Sequence, residues 1–194
     1  MVNKRLDVTK ITYVALFTSI VAVLQYMGGF IKVGGLFSVS LVLVPIVIGA
    51  ALCGVWAGAW LGFVFSVMVF VTGDAALFLS LNIPGTIVTV ILKGTLAGLC
   101  TGVVYKLLAK INRWVAVFVA AVVCPVVNTG IFLLGCRLFF FDTVSSWATA
   151  EGMPVGAYMI LVLVGLNFIF ELGFNLVLSP TAVRLIDMKN PQKK

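Results

Sequence analysis

The fold is decided by LFSVSLVLVPIVIGAALCGVWAGAWLGFVFSVMVFVT, residues 36–72. A helix rises about 1.5 Å per residue, and the hydrocarbon core of a bilayer is about 30 Å thick. The run is therefore far too long for one span, yet tight for two full spans and a loop. Pro45, and Gly54 between two apolar halves, predict two helices joined by a minimal turn, over 36–53 and 55–72, the first of them short.

The flanking sequence extends the pattern. A span over 11–30 follows Lys4, Arg5 and Lys10, and the glycine-rich stretch Met27–Gly35 breaks it. Its basic start and length fit a retained first helix rather than a signal peptide, since no A-x-A-like cleavage site follows. Beyond Asp74 and the loop-like SLNIPG (Ser80–Gly85), a fourth span covers 86–108, closed by Lys106, Lys110 and Arg113. The fifth covers 114–141 and the sixth 155–183, ahead of a basic tail. The prediction is an all-α integral membrane protein: one domain over 1–194, a bundle of six transmembrane helices with both termini in the cytoplasm.

Composition agrees. Of the 194 residues, 62% are hydrophobic and 10% charged, and the mean hydropathy is +1.23. Soluble domains run nearer 45–50% apolar and about 25% charged. The net charge of +7 is not a nucleic-acid signature, because the basic residues sit in short segments beside apolar runs. With the termini inside, ten of the 13 basic residues fall on the cytoplasmic side. The predicted outer loops keep Lys32 and the acids Asp74, Asp142 and Glu151, in accord with the positive-inside rule.

Several chemistries are missing. Cys53, Cys100, Cys124 and Cys136 all lie in apolar segments without CxxC spacing, and there is no histidine. No metal site is therefore expected, and the cysteines read as small buried hydrophobes. No GxxxxGK[ST] loop occurs, so ATP is not handled by that route. Neither a catalytic triad nor an aspartate-rich diphosphate motif is present. The sequence is not that of an enzyme, and no cofactor is implied.

Charged groups at membrane depth are costly and mark function. Three stand out: Lys93, about 10 Å from the predicted outer end of its helix, Arg137, and Glu171. The amides Gln25, Asn128, Asn167 and Asn175 join them. Asn167, Glu171 and Asn175 are spaced i, i+4, i+8 and share one helical face. Two readings stand for each group, interhelical hydrogen bonding or the wall of a cavity. Lys93 is either a structural partner of Glu171 or a cationic ligand for a solute. Arg137 either snorkels to the interface or reaches the same solute. Pro125 bends the helix that carries Asn128, which lies nine residues and about half a turn of face from Arg137. Asn128 is the stronger pocket candidate of the two. Thr72–Asp74 and Leu81–Gly85, with Asn82, add polar groups at the outer level. The loop carrying Gly28, Gly29, Gly34 and Gly35 has the freedom of a lid.

Small residues form a second pattern. Ala15 and Ser19, and Thr18 and Ala22, are four apart in the first span, a spacing that lets another helix approach closely. Gly54, Gly58 and Gly62, then Gly94 and Gly98, repeat it. Such faces pack a bundle internally or dock a second membrane protein.

These stretches, VPIVIGAALCGVWAGAWLGFVFSV (Val44–Val67), GTIVTVILKGTLAGLCTGVVYKLL (Gly85–Leu108), CPVVNTGIFLLG (Cys124–Gly135) and Ala15-x-x-x-Ser19, resemble the S components of energy-coupling factor (ECF) vitamin transporters over essentially the whole chain. In that family the first-helix motif is usually alanine-xxx-alanine, and Ser19 replaces its second alanine. The resemblance implies capture of a water-soluble vitamin from outside, in a pocket beneath the outer loops and among the last three helices. It also implies partnership with a transmembrane coupling (T) subunit and two ATPases in a prokaryotic plasma membrane. Substrate-binding candidates are Asn128, Lys93, Glu171, Asn167, Arg137 and Asn82; docking candidates are Ala15, Ser19 and Ala22. Lys93 and Arg137 favour an anion such as pantothenate or folate, Glu171 a donor-bearing ring, and riboflavin fits the mixture. The alternative is a membrane scaffold without a ligand of its own.

Overall fold

A computed structural model of the chain describes residues 8–28, 32–33, 37–38 and 41–189. Lys4, Arg5, Gly29, Gly34, Gly35, Lys193 and Lys194 lie outside the described residues. The elements run α1 (Val8–Gly28), β1 (Lys32–Val33), β2 (Phe37–Ser38), α2 (Leu43–Cys53), α3 (Val55–Val71), α4 (Ala76–Leu81), α5 (Ile83–Leu108), α6 (Arg113–Phe139), α7 (Phe141–Ala150), α8 (Val155–Tyr158) and α9 (Gly165–Lys189). Between α8 and α9 the helix widens into π winding over Met159–Val164.

Among the described residues, four helices are long and apolar enough to cross a membrane: Val8–Gly28, Ile83–Leu108, Arg113–Phe139 and the joined Val155–Met188. The run 36–72 does divide at Gly54, where φ is 101° and ψ 177°, a conformation open essentially to glycine alone. Its two halves are shorter than full spans, however. Helix α2 has 11 residues and α3 has 17, about 17 and 26 Å. The helix expected from residue 36 begins at Leu43, because residues 37–38 pair antiparallel with 32–33. The first half is short, as expected, and the second falls short of a full span too, beside four long helices among the described residues.

Sequence explains the caps. The Asn82 side chain accepts from the Gly85 backbone N–H at 2.9 Å, and Pro84 sits in the first turn of α5, where a missing donor costs nothing. Asn112 caps α6 by accepting from Trp114 and Val115. The inner core gathers around α2, whose Leu43, Ile46 and Val47 are buried with Val21, Leu61, Val117 and Ile186 from α1, α3, α6 and α9. Outward-facing side chains are apolar on every long helix, among them Leu16, Val23, Leu92, Leu134, Leu166, Ile169 and Val177. An apolar belt of that extent suits lipid, not water.

Helix α3 lies along α5 through a glycine seam. A Cβ added at Gly62 would stand 2.0 Å from the Gly94 carbonyl oxygen, and one at Gly98 2.0 Å from that of Gly58. The two backbones therefore touch. Ser66 closes the seam by donating to the carbonyls of Val90 (2.7 Å) and Gly62 (3.0 Å).

Candidate functional site

Helices α5, α6 and α9 surround a cavity of about 70 Å³ at the end of the bundle that carries α4. Thr86, Thr89 and Lys93 enter from α5, spaced i, i+3, i+7 on one face. Asn128 and Phe132 come from α6, one turn apart, and Asn167 and Glu171 from α9, likewise one turn apart. Gln25 closes the site from α1, and Asp74, Ala75 and Phe78 from the α3–α4 turn and α4.

The polar wall is built from fixed contacts. Asn167 donates through Nδ2 to Glu171 Oε1 at 3.1 Å. Gln25 Nε2 and Thr72 Oγ1 both donate to Asp74 Oδ2, at 2.7 and 2.9 Å. That arrangement ties the end of α1 to the turn at Gly73, whose φ of 78° suits glycine. The Lys93 ammonium lies 5.4 Å from the centre of the Phe132 ring and 5.8 Å from that of Phe65, a cation–π setting. Lys93 and Glu171 share the cavity without meeting in an ion pair. An ion pair joins Arg113 to Asp187 at the opposite end of α6.

Four lining residues keep a buried polar atom with no protein partner: Thr89 Oγ1, Asn128 Oδ1, Asn167 Oδ1 and Glu171 Oε2. Thr89, Asn128 and Glu171 are at most 5% exposed. An unsatisfied buried group costs about 1–3 kcal/mol, and four of them surround this one hollow. Phe78 meets Phe132 and Phe140 edge to face, at centroid distances of 5.5 and 5.1 Å, and supplies an aromatic wall. The hollow has room for a few waters.

The structure thus gathers Asn128, Lys93, Glu171 and Asn167, and leaves two candidates outside. Arg137 is exposed and stacks its guanidinium 4.4 Å over Phe141. Asn82 spends its side chain on capping α5. The α9 stripe also divides, since Asn175 Nδ2 donates to the Glu171 carbonyl at 2.8 Å and does not line the cavity. Gln25 and Asp74 were visible as polar residues at this depth, but nothing in their spacing joined them. Thr86 and Thr89 could have been found from their shared face with Lys93.

Ala15 and Ser19 are exposed on α1, and Ala22 is half-buried. Ser19 Oγ donates to the Ala15 carbonyl at 3.1 Å. The hydroxyl is satisfied within its own helix, which leaves a small, smooth face.

The sequence model described as "ECF transporter, substrate-specific component" matches residues 9–183. The chain belongs to this family. It is accordingly a multi-pass membrane protein serving transport as a substrate-binding subunit, not an enzyme. Among solved structures the S component is similar to ThiT from Listeria monocytogenes, with a TM-score of 0.67 and 22% identity over 98% of each chain. That likeness carries the fold. No curated protein sequence matches the chain.

Proposed function

We propose that this S component captures a water-soluble vitamin or related micronutrient from outside a prokaryotic cell and delivers it inward with a T subunit and two ATPases. The observation that carries the reading is the cavity itself, with four unpartnered polar atoms in a chain of this family. In this reading Asn128, Lys93, Glu171 and Asn167 bind the ligand, while Arg137 and Asn82 fall outside the binding set. Both termini are cytoplasmic, and six apolar helices, two of them short, form the membrane domain. The exposed face of Ala15, Ser19 and Ala22 meets the T subunit by close helix approach.

The purified chain, alone in nanodiscs and without ATP, is expected to bind one member of a B-vitamin panel in titration calorimetry. Absence of binding across the panel overturns vitamin capture and returns the scaffold alternative. In the same system, Ser19→Trp is expected to abolish uptake by the assembled transporter and leave ligand affinity unchanged.

A further inference from the structure

Resting on the capture reading, we infer that the cavity takes a nitrogen heterocycle that donates hydrogen bonds, not a ligand led by a carboxylate. The amide of Asn167 is oriented by Glu171: Nδ2 gives its hydrogen bond to Oε1, and the flipped amide would set two acceptors face to face. Asn167 Oδ1 is therefore a fixed acceptor, and Glu171 Oε2, one turn along the same face of α9, is a second; neither has a protein donor within hydrogen-bond distance, although the Asn128 side chain also faces the carboxylate. A ligand that satisfies them must bring N–H or O–H groups. Charge points the same way. Among the described lining residues the Glu171 carboxylate shares the cavity with one ammonium, that of Lys93, and Arg137 is turned away onto Phe141. A ligand carboxylate set against those two acceptors would place a like charge beside Glu171 at low dielectric. The aromatic wall of Phe78 and Phe132 then offers edges and faces to a flat ring. Lys93, seated against Phe132, is left to meet a ring acceptor.

The test uses the full chain in nanodiscs with two sets of probes. Thiamine and riboflavin are donor-bearing rings without a carboxylate; pantothenate and nicotinate carry a carboxylate and no ring donor. Folate has both features, and competition by a free pterin shows which half is held. A ring compound, or folate displaced by pterin, is expected to bind at least tenfold more tightly than any carboxylate probe. Glu171→Gln is expected to weaken that binding at least tenfold, and Lys93→Met by less. Tightest binding by a carboxylate probe, or folate not displaced by pterin, overturns the inference and leaves vitamin capture standing. So does unchanged affinity in Glu171→Gln, or a larger loss in Lys93→Met. No binding by any probe sinks the capture reading, and this inference with it. Should Glu171→Gln fail to elute as a monodisperse protein, Asn167→Ala examines the same pair of acceptors, with the same tenfold loss expected and unchanged affinity overturning the inference.

Discussion

Two regions on α5 use small and polar residues to opposite ends. Toward the inner half, Gly94 and Gly98 meet Gly62 and Gly58 of α3, and carbonyls lie where side chains would otherwise begin. The seam's hydroxyl, Ser66 Oγ, has two acceptors. Toward α4, the same helix offers Thr89 and Lys93 to a hollow in which acceptors from α6 and α9 lack partners. Close backbone approach leaves the seam no freedom. The cavity instead leaves polar atoms without protein partners. On the proposed reading, stability and recognition are separated along a single helix.

The widest test of that separation pairs one substitution from each region. Gly62→Leu forces a branched side chain onto the Gly94 carbonyl and is expected to cost more than about 3 kcal/mol, the upper part of the overpacking range. Loss of monodisperse protein in size-exclusion chromatography reads this directly. Asn128→Leu removes an amide whose oxygen has no protein partner and whose side chain faces the Glu171 carboxylate, and it is expected to cost about 1–2 kcal/mol, less than Gly62→Leu, while ligand binding falls. If both variants unfold alike, the two regions are not separate.

A smaller effect is expected where they adjoin. A Cβ at Gly135 would stand 2.3 Å from Thr89 Cγ2 and 2.4 Å from its Oγ1. Gly135→Ala should cost about 1–2 kcal/mol and also weaken ligand binding, because Thr89 is pushed within the cavity wall. Thermal unfolding and titration of one preparation give both numbers, and an unchanged affinity would detach Thr89 from the site. The smallest effect belongs to Asn82→Ala, a lost helix cap worth about 1 kcal/mol, with affinity unchanged. A large loss of affinity there would restore Asn82 to the binding set.

Much of this was legible because helical spacing is simple. Gly58 with Gly62, and Gly94 with Gly98, announce close approach, and Asn167 with Glu171 announces a shared polar face. What periodicity cannot say is where a polar side chain finds its partner. Asn175 sits on the same stripe as Glu171, yet bonds to its backbone. Asn82 sits at the right level, yet its oxygen goes to Gly85. Arg137 has an aromatic neighbour four residues on that accounts for it. The aromatic wall escaped notice for a different reason. Phe78 rides on α4, a helix of six residues with too few turns to leave a pattern, between the third predicted span and the loop-like Ser80–Gly85.

The π winding of Met159–Val164 bears on how the sequence tolerates change. Wider winding takes up an extra residue that ordinary helix would turn by 100°. Every side chain downstream, Asn167 and Glu171 included, owes its compass bearing to that slack. Deleting one residue there would let the helix return to ordinary winding with both acceptors still facing the cavity, whereas the same deletion in the plain helix of α9 ahead of Asn167 would swing them about 100° away. The stretch therefore buffers the site against a change in length that would be ruinous a turn later.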